Sequence, residues 1–193
     1  MKLSPAFFMA GVVLLLVTPR WAWANRAWHV EIEGCYAIPT SDNLESYTAS
    51  WGGGASLLYQ LGQNASLGGT LIYASLPSRD GDGSVSYLSI APSLRLVAIR
   101  QSPFVLAATI SPGITTRTIR FSQEAQSNNE LIPESDVHTG FGASVGVVLL
   151  YRLGKGASSI ISAARCNFAP EVLASSVFGT FSLGFGYGFG DAD

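Results

Sequence analysis

From residue 28 to residue 189 the chain alternates, almost without break, between large apolar side chains and small or polar ones. A repeat of two is that of a strand whose faces meet different surroundings. The last stretch carries it most plainly. Val177, Gly179, Phe181, Leu183, Phe185, Tyr187 and Phe189 share one parity, and Phe178, Thr180, Ser182, Gly184, Gly186 and Gly188 share the other. The first stretch sets Trp28, Val30, Ile32, Tyr36 and Ile38 against His29, Glu31, Glu33, Cys35 and Ala37. Between them the pattern predicts strands at 49–59, 66–76, 85–99, 104–118, 137–151 and 159–168, which makes eight in all. Long polar connections at 39–47, 77–84, 119–136 and 170–176 alternate with tight turns at 61–64, 100–102 and 153–156. Successive strands therefore pair as hairpins, with short turns at one end and long loops at the other.

Composition decides what the apolar face meets. Of 193 residues, 48% are hydrophobic and only 12% charged, about half the charged share usual in soluble proteins. A soluble barrel would bury its bulky apolar groups inside and show charge outside. Here the opposite face is mostly Gly, Ser and Thr, too poor in charge for a wetted exterior. An inverted barrel fits, with the apolar face in lipid, the small face in an interior just wide enough for side chains, and closure pairing every backbone group. The expected fold is all-β, an eight-stranded antiparallel up-and-down transmembrane β-barrel. A net charge of -2 argues against a nucleic-acid partner.

The one long apolar run, residues 6–17, is shorter than the roughly 20 residues a spanning helix needs. With Lys2 before it and Ala22-Trp23-Ala24 after it, residues 1–24 read as a cleaved signal peptide and 25–193 as the barrel domain. Asn25 stands where a lipoprotein signal would need Cys, so no lipid anchor is expected. Cys35 and Cys166 have opposite parities, which argues against a disulfide.

The segment Ser182-Leu183-Gly184-Phe185-Gly186-Tyr187-Gly188-Phe189 has a polar residue, a glycine two positions on, and two aromatics separated by one residue. It resembles the assembly signal of outer-membrane barrels, and the mature chain as a whole resembles the small outer-membrane β-barrel family, of the OmpA membrane-domain and OmpX type. That family ends on the final aromatic, whereas Gly190-Asp191-Ala192-Asp193 follow here. The resemblance implies residence in the outer membrane of a Gram-negative bacterium and contact with outer-membrane lipid and lipopolysaccharide. It further implies recognition by the barrel assembly machinery through the last strand, and a monomer.

Chemistry-bearing residues are few. Glu31, Glu33, Arg95 and Arg165 have inward parity and are expected to form a charge network that plugs the lumen. Glu31 and Glu33 as an acid/base pair is disfavoured, since same-face neighbours on a strand stand roughly 6.6–7 Å apart and arginine would neutralise them. Trp28, Tyr59, Tyr151, Tyr187 and Phe189 lie at strand ends, where aromatic rings suit the headgroup level. Val137-His138-Thr139-Gly140 lacks the His-x-Ser-Asn motif of outer-membrane lipid hydrolases, no metal-ligand spacing occurs, and no cofactor is expected. Gly52-Gly53-Gly54 precedes no helix and reads as room for neighbouring side chains rather than a phosphate cradle. Pro92 and Pro112 are expected to mark a paired bulge at one height on the lipid side. The loop 119–136, with Glu124, Glu130, Glu134 and Asp136, is the leading binding candidate. The function that follows is structural or surface-interactive and not enzymatic. A narrow pore for small or hydrophobic solutes is the alternative, with a lipid-modifying enzyme or a soluble carrier further behind.

Overall fold

In a computed structural model, residues 28–81, 83–122, 135–153, 157–169 and 176–189 are described. The eight strands are β1 (Trp28–Pro39), β2 (Ser50–Gln60), β3 (Ala65–Pro77), β4 (Gly83–Gln101), β5 (Phe104–Phe121), β6 (Ser135–Arg152), β7 (Ser158–Ala169) and β8 (Ser176–Phe189). Each pairs antiparallel with its sequence neighbour, and β1 closes on β8 from Trp28↔Phe189 to Pro39↔Phe178. No open edge remains for the backbone to satisfy. The proposed leader, 1–24, lies outside the described residues.

The two faces part as the alternation dictates. Trp51 is 74% exposed and Phe185 70%, and Ile32, Phe141, Phe181 and Leu183 also stand on the outside. Inside lie hydroxyls, the buried charges and small residues. An apolar surface this continuous around every strand would be far larger than a water-soluble monomer tolerates. Cys35 points inward and Cys166 outward, and both are free thiols.

The interior departs from expectation in one respect. Phe178 sits on the small face of β8 and is only 1% exposed, one of several bulky apolar groups turned inward. Leu44, Leu76, Val85, Tyr87, Ala169 and Phe178 form a buried cluster at the long-loop mouth. Leu44 reaches it from a short 3-10 turn, Asp42–Leu44, in the β1–β2 connection. Tyr87 and Phe178 come from strands that do not pair and stack across the lumen, ring centroids 4.8 Å apart. A second, smaller cluster joins Val148, Ile161 and Ala163. The lumen is thus not filled by small and ionic residues alone.

Two further readings are corrected. The segment 119–136 is not a loop throughout, because β5 runs to Phe121, β6 begins at Ser135, and Ile119 pairs with Asp136. Glu124, Glu130 and Glu134 lie outside the described residues. The β5–β6 hairpin instead rises as sheet, since β6 meets β7 only from Ala143 onward. Pro92 and Pro112 do face each other and both point outward, but they make no bulge. The β4–β5 pairing breaks off after Ile90↔Ile114 and resumes at Leu94↔Ile110 in the same register. Two residues without N–H in one pair remove both of its ladder bonds symmetrically, so no extra residue is needed. The irregularity in this hairpin falls between Val97 and Ile99.

Candidate functional site: the lumen

The inward residues of β1 read the barrel axis in order. Starting from the short-turn end they are His29, Glu31, Glu33, Cys35 and Ala37, and each meets a different environment. His29 lines a cavity at that end, Glu31 and Glu33 hold arginines, and Ala37 belongs to the apolar cluster at the far mouth.

Strand geometry brings four charged residues from three strands into the lumen. Glu31 takes Arg95 of β4 across the lumen in a two-pronged contact, Nη1 to Oε1 at 2.5 Å and Nη2 to Oε2 at 2.7 Å. Glu33 takes Arg165 of β7, Nη1 to Oε1 at 2.7 Å. Ser182 of β8 donates to Glu33 Oε2 at 2.7 Å and accepts from Arg165 Nη1 at 3.2 Å, tying the second pair to the wall. All four side chains are buried. The forked fit suits guanidinium to carboxylate and leaves few unsatisfied lone pairs, which a buried ion pair requires.

Glycines make the room. A Cβ on Gly54 would stand 2.9 Å from Glu33 Oε1, and one on Gly146 would stand 2.8 Å from Arg165 Cγ. Within the Gly52-Gly53-Gly54 run it is Gly54 that clears space for the Glu33 carboxylate of the adjacent β1. The wall of β2 to β5 carries hydroxyls that bond each other: Ser56 with Thr70 at 3.1 Å, Ser89 with Thr115 at 2.8 Å, and Ser111 with Ser93 at 2.8 Å. These bonds satisfy buried polar groups between strands without charge.

The strand-end aromatics gather at the short-turn end. Trp28 packs edge-on against Tyr59 at 4.9 Å and faces Phe189 on β8, with Tyr187 one outward position further along. Tyr151 packs on Phe104 at 5.1 Å. Sequence reasoning missed Phe104, and it missed a matching pair toward the other rim, Tyr36 with Trp51 at 5.2 Å. The clue was present, since both lie on the outward parity of strand ends. It also missed the cluster of Leu44, Tyr87 and Phe178, although Phe178 is the one bulky residue on the small face of β8.

His138 Nε2 lies 3.0 Å from Asp136 Oδ2 near the long-loop rim, with both side chains partly exposed. An acid and an imidazole orient each other, but nucleophilic hydrolysis also needs a hydroxyl or thiol in reach of the imidazole. Among the described residues no cluster of three metal-ligating side chains occurs.

A closed eight-stranded sheet with hydrocarbon outside and charge within is a transmembrane barrel of the outer-membrane type. No family profile matches the sequence, and no curated protein matches it either. Solved structures do. Neisserial surface protein A matches with a TM-score of 0.62 at 15% identity, over 84% of this chain and 97% of that one. OprG of Pseudomonas aeruginosa matches at 0.59 and 11% identity, over 86% and 98%. Ail of Yersinia pestis, solved with the heparin analogue sucrose octasulfate, matches at 0.54 and 16% identity, over 84% and 97%. At these identities the likeness is one of fold, and the fold is that of small outer-membrane barrels.

Proposed function

We propose that this chain is an outer-membrane barrel whose lumen is closed by its own side chains, and whose role is structural or exercised through the surface at its long-loop end. The observation that carries this reading is the sequence of closures along the axis: two ion pairs in the middle and the Tyr87–Phe178 stack at the mouth. Solutes meet three contacts in succession, of which Glu31–Arg95 and the ring stack cross the lumen and Glu33–Arg165 bridges over β8. The β5–β6 hairpin supports the surface role, because it carries paired sheet with Arg117, Arg120, Asp136 and His138 beyond the top of β7. Regular sheet presents such groups at fixed spacing, as a binding surface requires. Lipid and lipopolysaccharide on the outside, delivery by the barrel assembly machinery through β8, and a monomeric state belong to the same proposal. The outward run Phe181, Leu183, Phe185, Tyr187 and Phe189 supports the β8 part of it.

Planar-bilayer recording tests the closure. Purified, refolded protein is expected to give no unitary conductance steps across a range of voltages. Steady channels that vanish when Glu31 or Glu33 is altered would replace this reading with the narrow pore.

A further inference from the structure

We propose that the lumen holds a single bound water molecule in an uncharged hydroxyl cage lined by β3, β4, β5 and β6. A cavity of about 10 Å³ lies there, about the space that a single water needs. Among the described residues, the polar side chains lining it are hydroxyls alone: Thr70, Ser89, Ser111, Thr115 and Ser144. No charged side chain stands among them, so an ion entering would lose its hydration without gaining a counter-charge. Ser144 carries the inference. It is 6% exposed, and its Oγ is buried with no hydrogen-bond partner among the described residues. A buried hydroxyl without a partner is costly, and an ordered water is the usual remedy where the space is polar.

The neighbours of Ser144 have hydrogen-bonding capacity to spare. Ser89 and Thr115 bond each other at 2.8 Å. One hydrogen makes that bond, so the pair keeps a second hydrogen to give and lone pairs to offer. Ser111 Oγ donates to Ser93 Oγ at 2.8 Å and keeps its lone pairs. A buried water needs roughly two to four such partners. The backbone keeps the space clear. Gly113 faces Gly142 across β5 and β6. A Cβ on Gly142 would run into the Thr115 hydroxyl, and one on Gly113 into the β4 backbone at Ile90 and Ala91. Through Ala91, Ser111 and Gly113 the cavity also backs on the break in the β4–β5 ladder at Pro92 and Pro112. That pair offers carbonyls but no N–H. The seam beside the cavity is therefore short of donors, which a water supplies. The two ion pairs draw their charged groups from β1, β4 and β7, and the water ties β6 into the lumen network through Ser144.

Magnetic relaxation dispersion of the solvent oxygen tests this, because it counts waters held inside a protein and is blind to hydrogen exchange at hydroxyl groups. The full chain refolded in maltoside micelles is expected to show long-lived water. Ser144→Val removes the unpartnered hydroxyl and adds a methyl group to fill the space. It should lower the dispersion amplitude by the equivalent of about one molecule. Ser56→Ala, whose hydroxyl is not among those lining the cavity, should leave the amplitude unchanged. Heat-modifiable gel mobility verifies that each variant is folded. If Ser144→Val does not fold, Thr115→Val, which removes a lining hydroxyl at nearly constant volume, takes its place and should lose the same amplitude. No long-lived water in the unaltered chain, or an undiminished amplitude in the folded variant, overturns the proposal. An equal fall in Ser56→Ala would put the water elsewhere and overturn it as well.

Discussion

The two mouths of this barrel are finished in opposite ways. At the long-loop end Leu44, Tyr87 and Phe178 exclude water by packing. At the short-turn end a cavity is lined by the polar and charged side chains of His29, Arg95, Arg100 and Arg152 among others. Between them the Glu31–Arg95 and Glu33–Arg165 pairs form the boundary. One β-barrel wall supports both finishes because inward positions are filled independently, and only the small residues between them are shared. The contrast teaches that the interior of a narrow barrel is graded along its axis, dry at one end and ionic at the other.

The contrast breaks most severely at the boundary. Glu31→Ala leaves the Arg95 guanidinium buried without its carboxylate and is expected to cost about 3–5 kcal/mol in urea unfolding of the refolded barrel. Replacing both partners, Glu31→Leu with Arg95→Met, should recover most of that loss, since well-packed apolar groups substitute for a buried pair at little cost. Equal losses in the single and double variants would show that the pair is not what matters. At the dry mouth, Phe178→Ala removes one ring of the stack at a cost of about 3 kcal/mol. It should also speed labelling of Cys35 by an aqueous maleimide, because Cys35 lies between the cluster and the ion pairs. Gly54→Ala brings a methyl group against Glu33 and is expected to cost about 1–3 kcal/mol by overpacking, without altering maleimide access. The smallest effect belongs to the wall itself. Pro92→Ala with Pro112→Ala restores two donors and should gain about 1 kcal/mol, with new amide protection at both positions by hydrogen exchange. Exchange at the unprotected rate there would mean the gap has another cause.

Much of this was legible in the sequence because a barrel strand has a single repeat and only two faces. Parity alone places Glu31, Glu33, Arg95 and Arg165 on the lumen side, and Trp28, Tyr59, Tyr151, Tyr187 and Phe189 outside at the ends. Which glutamate holds which arginine was not legible, because that depends on reach across the lumen and not on position along a strand. The irregularity at Ala98 was hidden by its composition. Val97, Ala98 and Ile99 are all apolar, so nothing in the pattern marks where alternation reverses, and Arg100 reads as part of a turn. Leu44 was illegible for a different reason. It lies in a polar connection with no periodicity, and only the closed barrel supplies the mouth that it fills.

The account stands on the apolar face meeting hydrocarbon. Trp28 and Trp51 are the tryptophans of the described residues, and both face out, so Trp28→Phe in a chain that starts at residue 25 leaves Trp51 as the sole reporter. In bilayers of lipid brominated along its acyl chains, Trp51 fluorescence should be strongly quenched and should resist aqueous iodide. Full emission in the brominated lipid together with ready quenching by iodide would contradict the account.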